Sequence, residues 1–132
     1  MKALSKSVSS PKVLRLNTVE SRPQKALAIK TQEGIRVVPV SEVSRIEADG
    51  NYCYLHQTSG RRITISKTLK TVSELLPEKH FLRPHASHLI RLSDIRMVAT
   101  NELTLSDNTL IPIARSRRKY VVARLSEFTT FL

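Results

Sequence analysis

Short segments in which apolar and polar residues alternate recur along the chain from residue 27 onward, with turn residues between them. The clearest pair, residues 52–58 and 61–65, flanks Ser59-Gly60 and predicts a β-hairpin. Further strands are predicted at residues 27–32, 35–40, 44–48, 95–99, 102–106 and 109–114, and a short extended segment at residues 81–85. Strands that recur roughly every 8 to 12 residues are typical of an all-β core, so this pattern predicts a mainly β protein.

Two segments depart from that pattern and have helical spacing. The first carries apolar residues three or four positions apart, and we expect it to end at Pro77. Its apolar positions are Leu69, Val72, Leu75 and Leu76. The second, marked by Tyr120, Val121, Leu125 and Phe128, predicts a C-terminal helix. The expected fold class is therefore mainly β with one short helix and a C-terminal helix.

The first 25 residues differ in composition from the rest of the chain. Six basic residues face one acidic residue there, and the apolar pattern is sparse. We expect residues 1–25 to form a basic flexible tail and residues 26–132 to form the folded domain. Val13, Leu14 and Leu16 leave open a short strand or a docking contact within the tail.

The chain carries 22 Lys and Arg against 11 Asp and Glu, a net charge of +11. Such a balance indicates a polyanionic partner, with nucleic acid first and an anionic membrane second. A basic cluster free of acidic residues is formed by Arg115, Arg117, Arg118, Lys119 and Arg124. Only six aromatic residues are present, which favours duplex DNA over single strands because single-strand binders stack bases on aromatic side chains. A solvated basic surface is the alternative interpretation of this charge.

Candidate catalytic and metal-ligating residues do not form a recognisable set. His85 and His88 could contact a metal, but no third ligand is indicated, and the single cysteine, Cys53, excludes an internal disulfide. Ser87 lacks a nucleophile elbow, and no glycine-rich phosphate loop is present. We therefore expect no enzyme activity, no cofactor and no metal. Neither a run of 18 apolar residues nor a secretory signal is visible, so a cytoplasmic location is expected.

Several blocks of the sequence, in order, resemble the LytTR DNA-binding domain, the output domain of bacterial response regulators. The blocks begin at Val43 (VSRIEADGNY), Phe81 (FLRPHAS), Leu103 (LTLSDN) and Ile111 (IPIARSRR). The resemblance covers roughly residues 27 to 125. It implies small stacked antiparallel sheets with loops that enter successive major grooves of duplex DNA. No receiver domain is expected in this chain, which is interpreted either as a stand-alone regulator or as an excised output domain.

Carried over by position, the resemblance implies DNA contacts from three loops, at residues 51–53, 85–87 and 114–118. The expected DNA-binding residues are Asn51, Cys53, His85, Ala86, Ser87, Arg115, Arg117, Arg118 and Lys119. Arg115 matches the family's base-reading arginine. The chain departs from the family pattern at four positions. The family usually has a polar or basic residue at Ala86, asparagine at Arg91, a turn glycine at Asn108 and serine at Ala114. Ala86 offers no side-chain hydrogen bond, so we expect it to read sequence less strictly or to contact a thymine methyl.

The expected function is sequence-specific binding of promoter DNA by a bacterial transcriptional regulator. The resemblance implies that the DNA sites are imperfect direct repeats and that the protein binds them as a dimer. It also implies a regulatory protein partner, which in this family can be membrane-embedded. A protein-interaction module and an RNA-binding domain remain the alternatives.

Overall fold

The structure, a computed structural model, describes residues 25–132, so the expected tail lies outside the described residues except for Lys25. Ten strands in this part of the chain form three antiparallel sheets, accompanied by two α-helices. The strands are β1 Ala26–Thr31, β2 Gly34–Pro39, β3 Val43–Asp49, β4 Tyr52–Gln57, β5 Arg62–Ile65, β6 Phe81–His85, β7 His88–Arg91, β8 Ile95–Val98, β9 Glu102–Leu105 and β10 Leu110–Pro112. The helices are α1 Leu69–Ser73 and α2 Arg118–Phe128. The expected fold class is confirmed.

The central sheet has five strands in the order β5-β4-β3-β7-β6. Its middle strand, β3, pairs with β4 through the Gly50-Asn51 turn and with the distant β7, where Glu47 lies opposite His88. β7 is not among the strands predicted above, and His88 is its first residue. Pro84 lies within β6, which is an edge strand of this sheet. Proline has no backbone N–H to donate, and an edge strand tolerates this because one of its sides has no partner strand.

The two faces of the β6–β7 hairpin pack against different cores. Leu89 belongs to the core beneath the β1–β2 hairpin and α1, whereas its neighbour Ile90 belongs to the core beneath the three-stranded sheet β10-β9-β8 and α2. Phe81 and Leu82 divide in the same way. Because successive strand residues point to opposite faces, the central sheet forms the middle layer of three.

The turn that joins β9 to β10 contains Asn108, whose φ is 70°. Left-handed backbone of this kind favours glycine, and asparagine is among the side chains that tolerate it best. The structure thus accounts for the replacement of the family's turn glycine at this position.

Helix α1 is shorter than the spacing predicts. It begins after Thr68, whose hydroxyl accepts a hydrogen bond from the Thr71 amide at 3.3 Å, and it ends at Ser73. The amides of Leu75 and Leu76 then bond to the carbonyls three residues earlier. This tighter turn brings Leu76 into the core before Pro77 is reached.

Arg91, where the family usually has asparagine, is turned inward. Its Nε donates to the Val43 carbonyl at 2.9 Å, its Nη2 donates to the Val40 carbonyl, and its guanidinium lies 4.7 Å from the centre of the Phe81 ring. Burial lowers the pKa of this guanidinium. Arg91 therefore joins the end of β7 to the first residue of β3 and to the segment just before it, and its guanidinium is unavailable to a ligand.

Among residues 25–132, no helix is long and apolar enough to cross a membrane.

Candidate nucleic-acid interface

Three chain segments meet at one end of the central sheet. The β3–β4 turn and the β6–β7 turn are neighbours there, because the Ala48 amide donates to the Ser87 carbonyl at 2.8 Å. The segment between β10 and α2 joins them, since the Ala114 amide donates to the Pro84 carbonyl at 2.9 Å. The structure thus brings together the three loops that the sequence singles out.

In the β3–β4 turn, Gly50 adopts a φ of 62° and Asn51 is exposed. Tyr52 is also exposed, and the Tyr54 hydroxyl donates to the Asp49 carboxylate at 2.8 Å. Cys53 lies between the two tyrosines with its side chain in the core, at 0 % exposure. The expectation of a DNA contact through Cys53 is therefore corrected, because its side chain points into the protein. Burial also raises the pKa of this thiol, which keeps it protonated and unreactive.

The β6–β7 turn consists of Ala86 and Ser87, and a histidine fixes its shape. The Ser87 amide donates to Nδ1 of His85 at 3.0 Å. Because Nδ1 accepts this bond, the neutral imidazole carries its proton on Nε2 and presents a donor there. Ala86, at the tip of the turn, is exposed, and Arg83 donates to its carbonyl at 2.7 Å.

His88 stands behind the turn as the inner member of a histidine pair. Its ring centre lies 5.6 Å from that of His85, in an edge-to-face arrangement. Burial lowers the pKa of His88, while Glu47 opposes that effect. In the described part of the chain, no three His, Cys, Asp or Glu residues are arranged to hold a metal ion.

Arg115 begins a 3-10 helical turn that runs directly into α2. The preceding strand β10 ends at Pro112, so Arg115 does not emerge straight from a strand as the sequence pattern suggests. The side chains of Arg115, Arg118 and Lys119 are exposed and line a groove with Val122 and Ala123. No acidic residue lies in the first turn of α2. Cations at a helix N-terminus are unfavourable on their own and become favourable beside an anion.

Two other arginines of the basic cluster point inward. Arg117 donates from Nε to the Arg83 carbonyl at 3.1 Å and lies 4.2 Å from the centre of the Tyr120 ring. Arg124 donates to the carbonyls of Phe81 and Glu78 at 3.2 and 2.8 Å. The exposed part of the cluster is therefore smaller than its sequence indicates.

Arg83 is the main site residue absent from the expectations above. It lies two residues before His85 in β6, and alternation along a strand places positions two apart on the same face. That spacing could have identified it. Tyr52 carries a weaker signal, since an aromatic residue directly after a turn is more often part of a cross-strand pair.

The exposed groups at this sheet end can donate hydrogen bonds and neutralise negative charge. They include the guanidinium and ammonium groups of the basic cluster and the Asn51 amide, and the half-buried His85 adds its Nε2–H. Such a set suits phosphate oxygens and the acceptor-rich edge of guanine.

Comparison with known proteins identifies a family and similar solved structures. The model of the LytTr DNA-binding domain family matches residues 33–126. A solved LytTr DNA-binding domain, from a protein described as a methyl-accepting/DNA response regulator of Bacillus cereus, is similar in fold with a TM-score of 0.67. It shares 23% sequence identity, and the match covers 77% of this chain and 97% of that one. No curated protein matches the chain in sequence.

Proposed function

This chain belongs to the LytTR family of DNA-binding domains, and from that premise we propose that it binds promoter DNA sequence-specifically through the three segments at one end of its central sheet. The proposed contacts are Asn51, His85, Ala86, Ser87, Arg115, Arg118 and Lys119. The observation that carries the proposal is the main-chain hydrogen bonding that joins the three segments into one surface. The family is one of DNA-binding domains and not of enzymes.

The charge distribution supports duplex DNA as the ligand. Arg115, Arg118 and Lys119 are exposed side by side at the start of α2, where no acidic side chain competes with phosphate. Phosphate contacts supply affinity and register, whereas contacts to base edges supply specificity. We assign Arg118 and Lys119 to phosphates and Arg115 to a base pair.

The proposal extends to the role that the family resemblance implies. The protein would regulate transcription in a bacterial cytoplasm, with two copies on imperfect direct repeats in promoters and with a protein partner that controls it.

Fluorescence anisotropy tests the proposal with labelled random duplex DNA, single-stranded DNA and RNA at about 50 and about 200 mM salt. We expect the duplex to bind most tightly, with log affinity falling against log salt by about 0.9 per phosphate contact. A flat salt response, or tighter binding of RNA or of single-stranded DNA than of duplex DNA, would overturn the proposal. Selection from a random duplex library would then give the site sequence.

A further inference from the structure

Arg83 and Arg117 occupy the DNA-binding end of the sheet, yet both side chains are engaged with backbone carbonyls. Arg83 donates from Nη2 to Ala86 at 2.7 Å, and Arg117 donates from Nε to Arg83 at 3.1 Å. Both side chains are half-buried, whereas Arg115, Arg118 and Lys119 are exposed. The basic residues at this end of the sheet thus fall into a half-buried pair and an exposed group, although Arg117 is a sequence neighbour of the exposed residues.

These bonds connect two of the interface segments to one strand. The Arg83 side chain donates to the Ala86 carbonyl at the tip of the β6–β7 turn. The Arg83 carbonyl in turn accepts a hydrogen bond from Arg117, the residue that precedes α2. The Ala114 amide adds a third bond, to Pro84. The end of β6 is therefore a common anchor for Ala86 and for Arg115.

Arg117 is poorly suited to a bidentate contact. Its Nε is already bonded, which removes one of the donor edges that pair side-on with phosphate or guanine. Its guanidinium also lies over Tyr120, which fixes the plane of the group against the protein.

We propose that Arg83 and Arg117 are positioning residues that set sequence specificity by fixing Ala86 and Arg115 relative to each other, without neutralising phosphates. This inference rests on the proposed function. A side chain that is already held in its bound position loses less conformational entropy on binding. A hydrogen bond to a base edge also requires a more exact side-chain position than a contact with a phosphate does. Loss of either arginine should therefore harm specific binding more than non-specific binding.

The test compares Arg117→Gln with Arg118→Gln, two neighbouring substitutions that remove the same charge. Affinities are measured for a selected duplex and for random duplex across a salt series. For Arg117→Gln we expect the ratio of specific to random affinity to fall about 3- to 10-fold, the scale of one hydrogen bond, with an unchanged salt slope. For Arg118→Gln we expect an unchanged ratio and a slope shallower by about 0.9.

A shallower slope and a uniform loss for Arg117→Gln would overturn the proposal, and so would an unchanged ratio. Thermal unfolding monitors the fold, and Arg117→Met is the second variant because it keeps the packing on Tyr120 while removing the donor. Arg83→Gln should reproduce the lower ratio. If wild-type protein showed no salt-dependent duplex binding, the proposed function itself would fail, which is a distinct result.

Discussion

Arg115 is the exposed arginine on which specificity is expected to depend most. It begins the 3-10 turn before α2, between an anchored Ala114 and the helix. A guanidinium can pair with O6 and N7 of guanine, a contact worth roughly 1–3 kcal/mol of discrimination, whereas lysine loses the planar fork. Arg115→Lys should keep most random-duplex affinity and relax preference at one base pair. Competition assays with single-base variants of the site check this, and an unchanged specific-to-random ratio would remove the base-reading role.

Cys53 gives a prediction about stability alone. Its thiol is buried, so Cys53→Ser places a hydroxyl in the core at a cost of about 1–3 kcal/mol in unfolding free energy. Urea denaturation measures this loss. Cys53→Ala serves as the control that adds no polar atom. Neither variant should change DNA affinity as long as the protein is folded. A loss of DNA affinity at unchanged unfolding free energy would indicate that Cys53 contacts DNA after all.

At the scale of elements, helix α2 is attached to β6 through Arg124. Its side chain is 11% exposed and donates to two backbone carbonyls and to the Tyr120 hydroxyl. Hydrogen bonds from charged groups contribute about 1.5–3 kcal/mol, so Arg124→Ala should lower the unfolding free energy by about that amount. Chemical denaturation checks it against exposed Arg118→Ala, which should be nearly neutral for stability. Equal stability of the two variants would contradict this role.

Most strands and helices could be predicted from the sequence because they bury one face only, which gives a regular alternation of apolar and polar residues. β7 could not, because Leu89 and Ile90 are adjacent and both buried, one in each core, which removes the alternation that marks a half-exposed strand. Its pairing with β3 joins residues far apart in the chain, which no local pattern reports. Cys53 is a different case: it lies two positions before the apolar Leu55 in one strand, and this spacing could have indicated an inward side chain.

The candidate site was predicted in part for similar reasons. The resemblance singles out three segments, and their role in DNA binding stays a prediction. The hydrogen bonds that bring these segments together are visible only in three dimensions. The sequence of the basic cluster gave its charge but not the direction of each side chain. Arg117 and Arg124 point inward because backbone carbonyls of β6 and of the residues before it lie within reach.

At the scale of the whole molecule, stability should depend on pH through two histidines. Burial lowers the pKa of both His88 and His56. As the pH falls through about 6.5, the unfolded chain takes up protons that the folded protein binds less readily, so the unfolding free energy decreases. Thermal unfolding between about pH 7.5 and about pH 5.5 measures this decrease.

The double variant His56→Gln, His88→Gln provides the comparison for that decrease. It should lose less stability on acidification than the wild type, because the carboxylates are the same in both proteins while His56 and His88 are present only in the wild type. Identical pH profiles for the two proteins would show that the histidines do not contribute.

The β6–β7 hairpin, shared by both cores, also bears on how the chain is made. During synthesis β3, β4 and β5 leave the ribosome well before β7, so β3 has one unpaired edge until the hairpin follows. An open edge of this kind can pair with another nascent chain. Neither core is complete before Phe81, Leu82, Leu89 and Ile90 emerge. The newly made protein is therefore most vulnerable to aggregation after β3, β4 and β5 have emerged and before β7 follows.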